Sequence, residues 1–129
     1  MNKTLLTLSL LAPLFSVACG GAIRVGDAYR DDTAKLITAQ ANPRIHDCFD
    51  GMVKTAPADQ AKSLAGTTTV HFTVAKESGL ITDPTVVPEQ TTAQPQVAQC
   101  VVASLAGLKL DPPDNVDGDA TYTWEFVVQ

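Results

Sequence analysis

Cysteines at positions 19, 48 and 100 of the 129 residues constrain what this chain can fold into more than any other feature. The first of them ends a stretch built unlike a globular domain. Met1-Asn2-Lys3 is a short basic start, residues 5–11 are a largely apolar run, and Ser16-Val17-Ala18 places small residues directly before Cys19. Basic, then apolar, then small is the layout of a secretory signal. A membrane-spanning helix needs about 20 apolar residues. This run is shorter, so residues 1–18 read as a removed signal. In the oxidising compartment such a signal leads to, three cysteines leave one without a partner.

Two cleavages fit the same residues. Ser16-Val17-Ala18-Cys19 resembles the lipobox of bacterial lipoproteins, in which the cysteine becomes the lipid-modified first residue; Ser16 stands where a bulky aliphatic is usual. Ser16 and Ala18 also suit ordinary signal peptidase, which would release a protein with a free thiol at its start. The lipobox is preferred, because a cysteine at the cut would otherwise be a coincidence. Gly20 offers no aspartate-type retention signal, so the resemblance to lipoproteins of two-membrane cells implies outer-membrane sorting with the domain in the periplasm. Lipidation of Cys19 removes the odd cysteine and leaves Cys48 and Cys100 as a disulfide pair. That bridge closes a loop of roughly 53 residues, about 4 kcal/mol on the chain-entropy model, a useful staple for a core of modest size. Two inert buried thiols are the other reading of the pair.

Charge excludes some partners. Without Lys3 the processed chain keeps eight of nine basic residues against 14 acidic ones, a net charge of −6. No basic patch is visible, so neither nucleic acid nor an anionic head group is expected to bind.

Residues 20–31 read as a tether, reaching roughly 20 Å from the lipid as a flexible chain. One domain over residues 32–129 follows. A helical signal opens at Asp32-Thr33 with Leu36 and Ile37, and Asn42-Pro43 reads as a cap with a first-turn proline. Ile45, Cys48, Phe49 and Met52 then fall at i, i+3, i+4 and i+7, which turns Cys48 toward the core. Residues 67–75 alternate, with Val70, Phe72 and Val74 on one face and Thr69, His71 and Thr73 on the other, the pattern of a half-buried strand. Lys76-Glu77-Ser78-Gly79 is a turn with glycine where a positive φ is needed. A second strand over 80–87 is interrupted by Pro84 and ended by Pro88. Gln94-Pro95 opens a second helix that carries Val97, Cys100, Val101, Ser104, Leu105 and Leu108 inward. The last strand, 120–128, sets Tyr122, Trp124, Phe126 and Val128 against Thr121, Thr123 and Glu125. The order α-β-β-α-β predicts an α+β fold in two layers. Both helices should lie on one face of a three-stranded sheet. The crossover rule puts the strands in order 2-1-3, with the last running parallel to the second and the first between them.

Residues 37–128 resemble the TonB C-terminal-like domains, nearest to the AgmX/PglI C-terminal subfamily. The likeness is carried by Cys48-Phe49, Gly66, Val70-x-Phe72-x-Val74 and Gly79. Cys100-Val101, Leu108, Pro112 and the aromatic last strand continue it. The paired helix cysteines are its specific part. Phe49 stands where a tyrosine is typical, Leu110 where an aromatic often precedes the proline, and residues 89–94 form a long polar stretch. The resemblance implies a non-catalytic periplasmic binding module. Such domains usually end long spanning proteins, so energy transduction does not carry over to a domain that stands alone behind a lipid.

No constellation points to chemistry. His46 and His71 fall on polar faces without the three or four convergent ligands a zinc site needs, and no nucleophile stands by a histidine and an acid. Neither metal, cofactor nor enzymatic activity is expected. Residues 114–119 (Asp-Asn-Val-Asp-Gly-Asp) invite a calcium reading. Aligning Gly118 with the loop's glycine puts Pro113 first and Trp124 where the bidentate glutamate belongs, so they read as a solvated acidic turn. The row Tyr122, Trp124, Phe126 reads as the core face of the sheet. What remains is the sheet's edges. In order 2-1-3 the second strand is guarded by Pro84 and Pro88. The proline-free last strand is an open template for strand addition, which makes Thr121, Thr123 and Glu125 the candidate partner-binding residues. Residues 23–29 or a second copy of the domain could instead cover that edge. The expected function is a lipid-anchored adaptor that binds another envelope protein; the runner-up is a structural lipoprotein in contact with the cell wall.

Overall fold

The alternation of residues 67–75 sets Val70, Phe72 and Val74 on one face, and that face is the centre of the molecule. The computed structural model describes residue 24 and residues 26–129. Residues 1–18, expected as a signal, Cys19, and the first part of the expected tether lie outside the described residues. In chain order the main elements are α1 (Asp27–Leu36), α2 (Asn42–Thr55), the short α3 (Ala58–Ala61), β1 (Gly66–Val74), β2 (Ile81–Val86), α4 (Pro95–Leu105) and β3 (Gly118–Phe126). The sheet has order β2-β1-β3, and β1 pairs antiparallel with both neighbours. The fold is therefore α+β in the expected order. Val70, Phe72 and Val74 join Ile37, Ile45 and Phe49 from the first helical segment. Val97, Val101 and Leu105 from α4 complete one buried cluster.

The Cys48–Cys100 disulfide is present, with the two Cα atoms 5.9 Å apart. It does not sit as the helical stripe suggests. Cys100 is buried, but Cys48 is exposed. On α2 the buried residues are Ile45 and Phe49, and Cys48 lies roughly 60° around the helix from Ile45, away from Phe49. It occupies the rim of the stripe and reaches across to α4 at the margin of the core.

Several boundaries differ from expectation: α4 ends at Leu105, short of Leu108, and β3 covers 118–126 rather than 120–128. Residues 27–31, expected as tether, belong to α1. Asn42-Pro43 does not start a new helix, because residues 37–41 form a π turn that joins α1 to α2 with helical dihedrals at Ala41 and Asn42. Pro43 has no N–H to give to the ladder, and a widened turn before it absorbs the loss without ending the helix. Asn42 does not cap; its side-chain oxygen instead accepts a hydrogen bond from the Trp124 indole at 2.9 Å.

The turn at 76–79 behaves as its glycine predicts. Gly79 has φ +71°, and a Cβ there would overlap the Leu110 carbonyl, whose own N–H donates to Gly79 O at 2.8 Å. Gly79→Ala therefore meets both a disfavoured backbone region and backbone atoms that cannot move aside. We expect it to cost about 2–5 kcal/mol. For a domain of this size thermal unfolding should show a drop in Tm of roughly 10 °C or more; an unchanged Tm would refute the close approach.

Candidate functional site

An antiparallel ladder directs both backbone groups of successive residues alternately to one neighbour and the other. On β1 the direction is fixed by four bonds. Thr67 N–H donates to Thr92 Oγ1 at 2.9 Å and its carbonyl accepts from Thr92 N–H at 2.8 Å. Thr69 N–H donates to Thr91 Oγ1 at 3.1 Å and its carbonyl accepts from Val87 N–H at 2.8 Å. Both residues thus face away from β3. Gly66, Thr68, Val70, Phe72 and Val74 must face it, opposite Phe126, Trp124, Tyr122, Ala120 and Gly118 in a register without a break. It follows that Asp119, Thr121, Thr123 and Glu125 turn their N–H and C=O groups outward. Among the described residues β3 pairs with β1 alone.

The other edge is closed. Pro84 lacks a donor, Asp83 has φ +52°, and the pairing with β1 shifts register between His71 and Thr73. At the start of β2, Ile81 N–H donates to the Leu108 carbonyl at 3.0 Å, and Leu80 bridges Lys109. The sequence pointed to the prolines but gave no sign of this cover.

Side chains order the open edge from the outer face. Thr121, Thr123 and Glu125 are exposed. Thr123 Oγ1 lies 2.7 Å from Thr69 Oγ1, Thr121 Oγ1 lies 3.0 Å from His71 Nδ1, and Thr73 donates to Asp119 at 3.1 Å. His71 is therefore tied to β3 rather than simply solvated; His46 is exposed. No group of three or more metal-ligating side chains forms among the described residues.

On the inner side Tyr122 and Trp124 are only half-buried, while Phe126 is buried. The aromatic row faces the helices as expected, but an edge strand has a helix over only part of its width. Tyr122 donates to the Arg30 carbonyl at 3.4 Å, and Phe126 packs on Phe49 with ring centroids 4.8 Å apart. Between α1 and the first half of β3 an open groove remains, lined by Tyr29, Arg30, Ala34, Ala120 and Tyr122. The Tyr29 hydroxyl is buried at the Gly118 end without a hydrogen-bond partner among the described residues, and burial raises its ionisation above the ordinary range. A strand laid on β3 would send alternate side chains into this groove.

Two residues at this site escaped sequence reasoning. Arg24, expected in the tether, donates from Nη1 to Asp114 Oδ1 and from Nε to Asp32 Oδ2, both at 2.8 Å. Asp114, expected in a solvated acidic turn, is buried. Burial disfavours the Arg24 charge, but its bonds to Asp32 and Asp114 outweigh that and raise its pKa; the same contact lowers the Asp32 carboxyl below its ordinary value. Of the segment that was a candidate to cover β3, Tyr29 packs at Gly118, the first residue of the strand. No helix of the described residues is long and apolar enough to cross a membrane. Comparison with protein-family models, with curated proteins and with solved structures gave no match.

Proposed function

We propose that the chain is a lipid-anchored binding module of the bacterial envelope, which takes an extended segment of another envelope protein as a fourth strand along β3. The observation that carries this reading is the row of outward backbone groups at Asp119, Thr121, Thr123 and Glu125, on a nine-residue strand without proline. Main-chain bonds supply affinity in strand addition, and pockets for alternate side chains supply selectivity; the groove beside Ala120 and Tyr122 is such a pocket. The resemblance to TonB C-terminal-like domains and the lipobox at Cys19 support the same compartment and the same non-catalytic role.

A photo-reactive amino acid tests the edge in cells. Placed at Thr123 it should capture a single protein species, and mapping of the linked peptide should find one extended segment that also links to probes at Thr121 and Glu125. A probe at Thr85, on the closed edge, should capture none of it. Equal capture from both edges, or capture only through α2 and α4, would remove β3 from consideration and favour a structural lipoprotein whose contacts are made elsewhere.

A further inference from the structure

The Arg24 side chain is 9% exposed and Asp114 7%. Besides the two side-chain bonds, the Arg24 backbone N–H donates to Asp114 Oδ1 at 3.2 Å. Asp114 is itself held, since its carbonyl accepts from Glu77 N–H at 2.9 Å, and Asp117 beside it accepts from Lys76 N–H at 2.8 Å. A buried cation with two carboxylate partners is a fixed point of the fold; freeing it would leave a buried carboxylate unpaired. The chain therefore joins the domain at one defined end of the sheet, where β1 finishes at Val74 and β3 begins at Gly118.

From Cys19 to Arg24 is five residues. That span covers no more than about 18 Å when fully extended. Nine-residue β1 is itself about 30 Å long. A lipid on Cys19 thus keeps the Arg24 end nearest the bilayer, and the far end, at Gly66 and Phe126, is out of reach of it. Of the three large apolar residues that are exposed, Leu80 at 40% and Val116 at 47% lie at the near end, while Val127 at 64% lies at the far end, away from the anchor. The near pair follow residues of the locked cluster: Leu80 comes after the 76–79 turn, and Val116 lies between Asp114 and Asp117.

We infer that the turn at 76–80 and the loop at 111–117 form a lipid-facing end, on which the domain rests with Leu80 and Val116 in the membrane interface. This rests on the reading of Cys19 as the lipid-bearing residue. Lys76 and Lys109 are offset there by Glu77, Asp111 and Asp117, so the contact is apolar and leash-driven rather than a match to anionic head groups. β3 then runs away from the bilayer from Gly118 to Phe126, which leaves its open edge upright along its length.

The test uses the processed full chain in phosphatidylcholine vesicles that carry a spin label near the head group. Intact mass first establishes whether Cys19 carries its acyl chains; an unmodified cysteine would end the anchor reading before the orientation is measured. Fluorescent amino acids are then placed singly at Val116, at Val127 on the far end and at Lys35 on the flank. Quenching at Val116 should exceed that at the other two several-fold. A Gly/Ser insertion of roughly 12 residues after Gly21, which raises the extended limit to roughly 60 Å, should weaken it without touching the fold. Arg24→Ala should also weaken it, and should lower stability as well, because the Asp114 carboxylate loses its partner. Quenching that is strongest at Lys35 would mean that the domain lies on its side, and equal quenching at Val116 and Val127 would mean that it is not oriented; either overturns the proposal.

Discussion

Loss of the Cys48–Cys100 bridge should lower the unfolding free energy by about 2–5 kcal/mol, a large part of what holds a domain of this size folded. The bridge spans 52 residues of sequence, so it constrains the unfolded chain across half the domain and joins the two longest helices. Its effect is amplified by how α2 is held. Only Ile45 and Phe49 of that helix are fully buried, whereas α4 buries Val97, Ala98, Cys100, Val101, Ser104 and Leu105. Without the bond α4 keeps its packing and α2 loses a main attachment. Cys48→Ala removes little else, because the side chain sits at the rim and the Cys100 thiol left behind behaves as a small buried hydrophobe. Cys100→Ala should cost somewhat more, since it also empties buried volume. The double variant should cost little beyond Cys100→Ala, because one bond is lost only once. Denaturant titrations of the four proteins, with and without reductant, measure all of this. If reductant leaves the midpoint of the parent unchanged, or both thiols label quantitatively in the folded protein, the staple is not what holds α2.

What could be read from the sequence was what repeats along it. Alternation over 67–75 and 120–128 and the stripes of the two helices gave element order and the identity of the core face, because burial imposes those periods directly; strand order then came from the crossover rule. The errors fall where local chemistry is ambiguous or where the deciding partner is distant. Asn42-Pro43 carries the signature of a helix start, yet the same pair is compatible with a π turn once Trp124, 82 residues away, takes the Asn42 side chain. Cys48 satisfies the i, i+3, i+4, i+7 rule, but that rule marks a wide stripe and cannot separate its centre from its rim. Asp114 is one acid in a run of acids until Arg24, 90 residues away, buries it. No period or motif could have announced that contact. A charged residue, Arg24, in the stretch expected as a tether was the only hint. At the candidate edge the sequence named Thr121, Thr123 and Glu125 from the absence of proline. That their backbone groups turn outward, rather than those of Ala120, Tyr122 and Trp124, depends on the register with β1.

That register supplies a sharper variant than any side-chain change. Thr123→Pro deletes an outward N–H, blocks the space a fourth strand would occupy, and leaves the β1 bonds of its neighbours Tyr122 and Trp124 in place; proline is tolerated on an edge when its missing donor faces solvent. The same change at Tyr122 would strike the ladder itself and unfold the sheet. Thr123→Pro does also remove the 2.7 Å contact with Thr69 Oγ1. Thr69 keeps a second bond, to the Gln90 carbonyl at 3.1 Å, so that loss should cost only about 1 kcal/mol of stability. Thr123→Val serves as the control, because it loses the same hydroxyl and keeps the N–H. Proline removes one ladder bond and leaves the bound strand's own carbonyl unpaired, about 1–3 kcal/mol, which is roughly a 5- to 150-fold weaker Kd. With a photo-reactive residue at Glu125 as reporter, capture of the partner should fall in the Thr123→Pro background and persist in Thr123→Val, while both variants unfold within a few degrees of the parent. Undiminished capture by a folded Thr123→Pro protein would show that the partner does not pair with β3. Equal loss in both variants would place recognition in the hydroxyls of the outer face, with the backbone edge uninvolved.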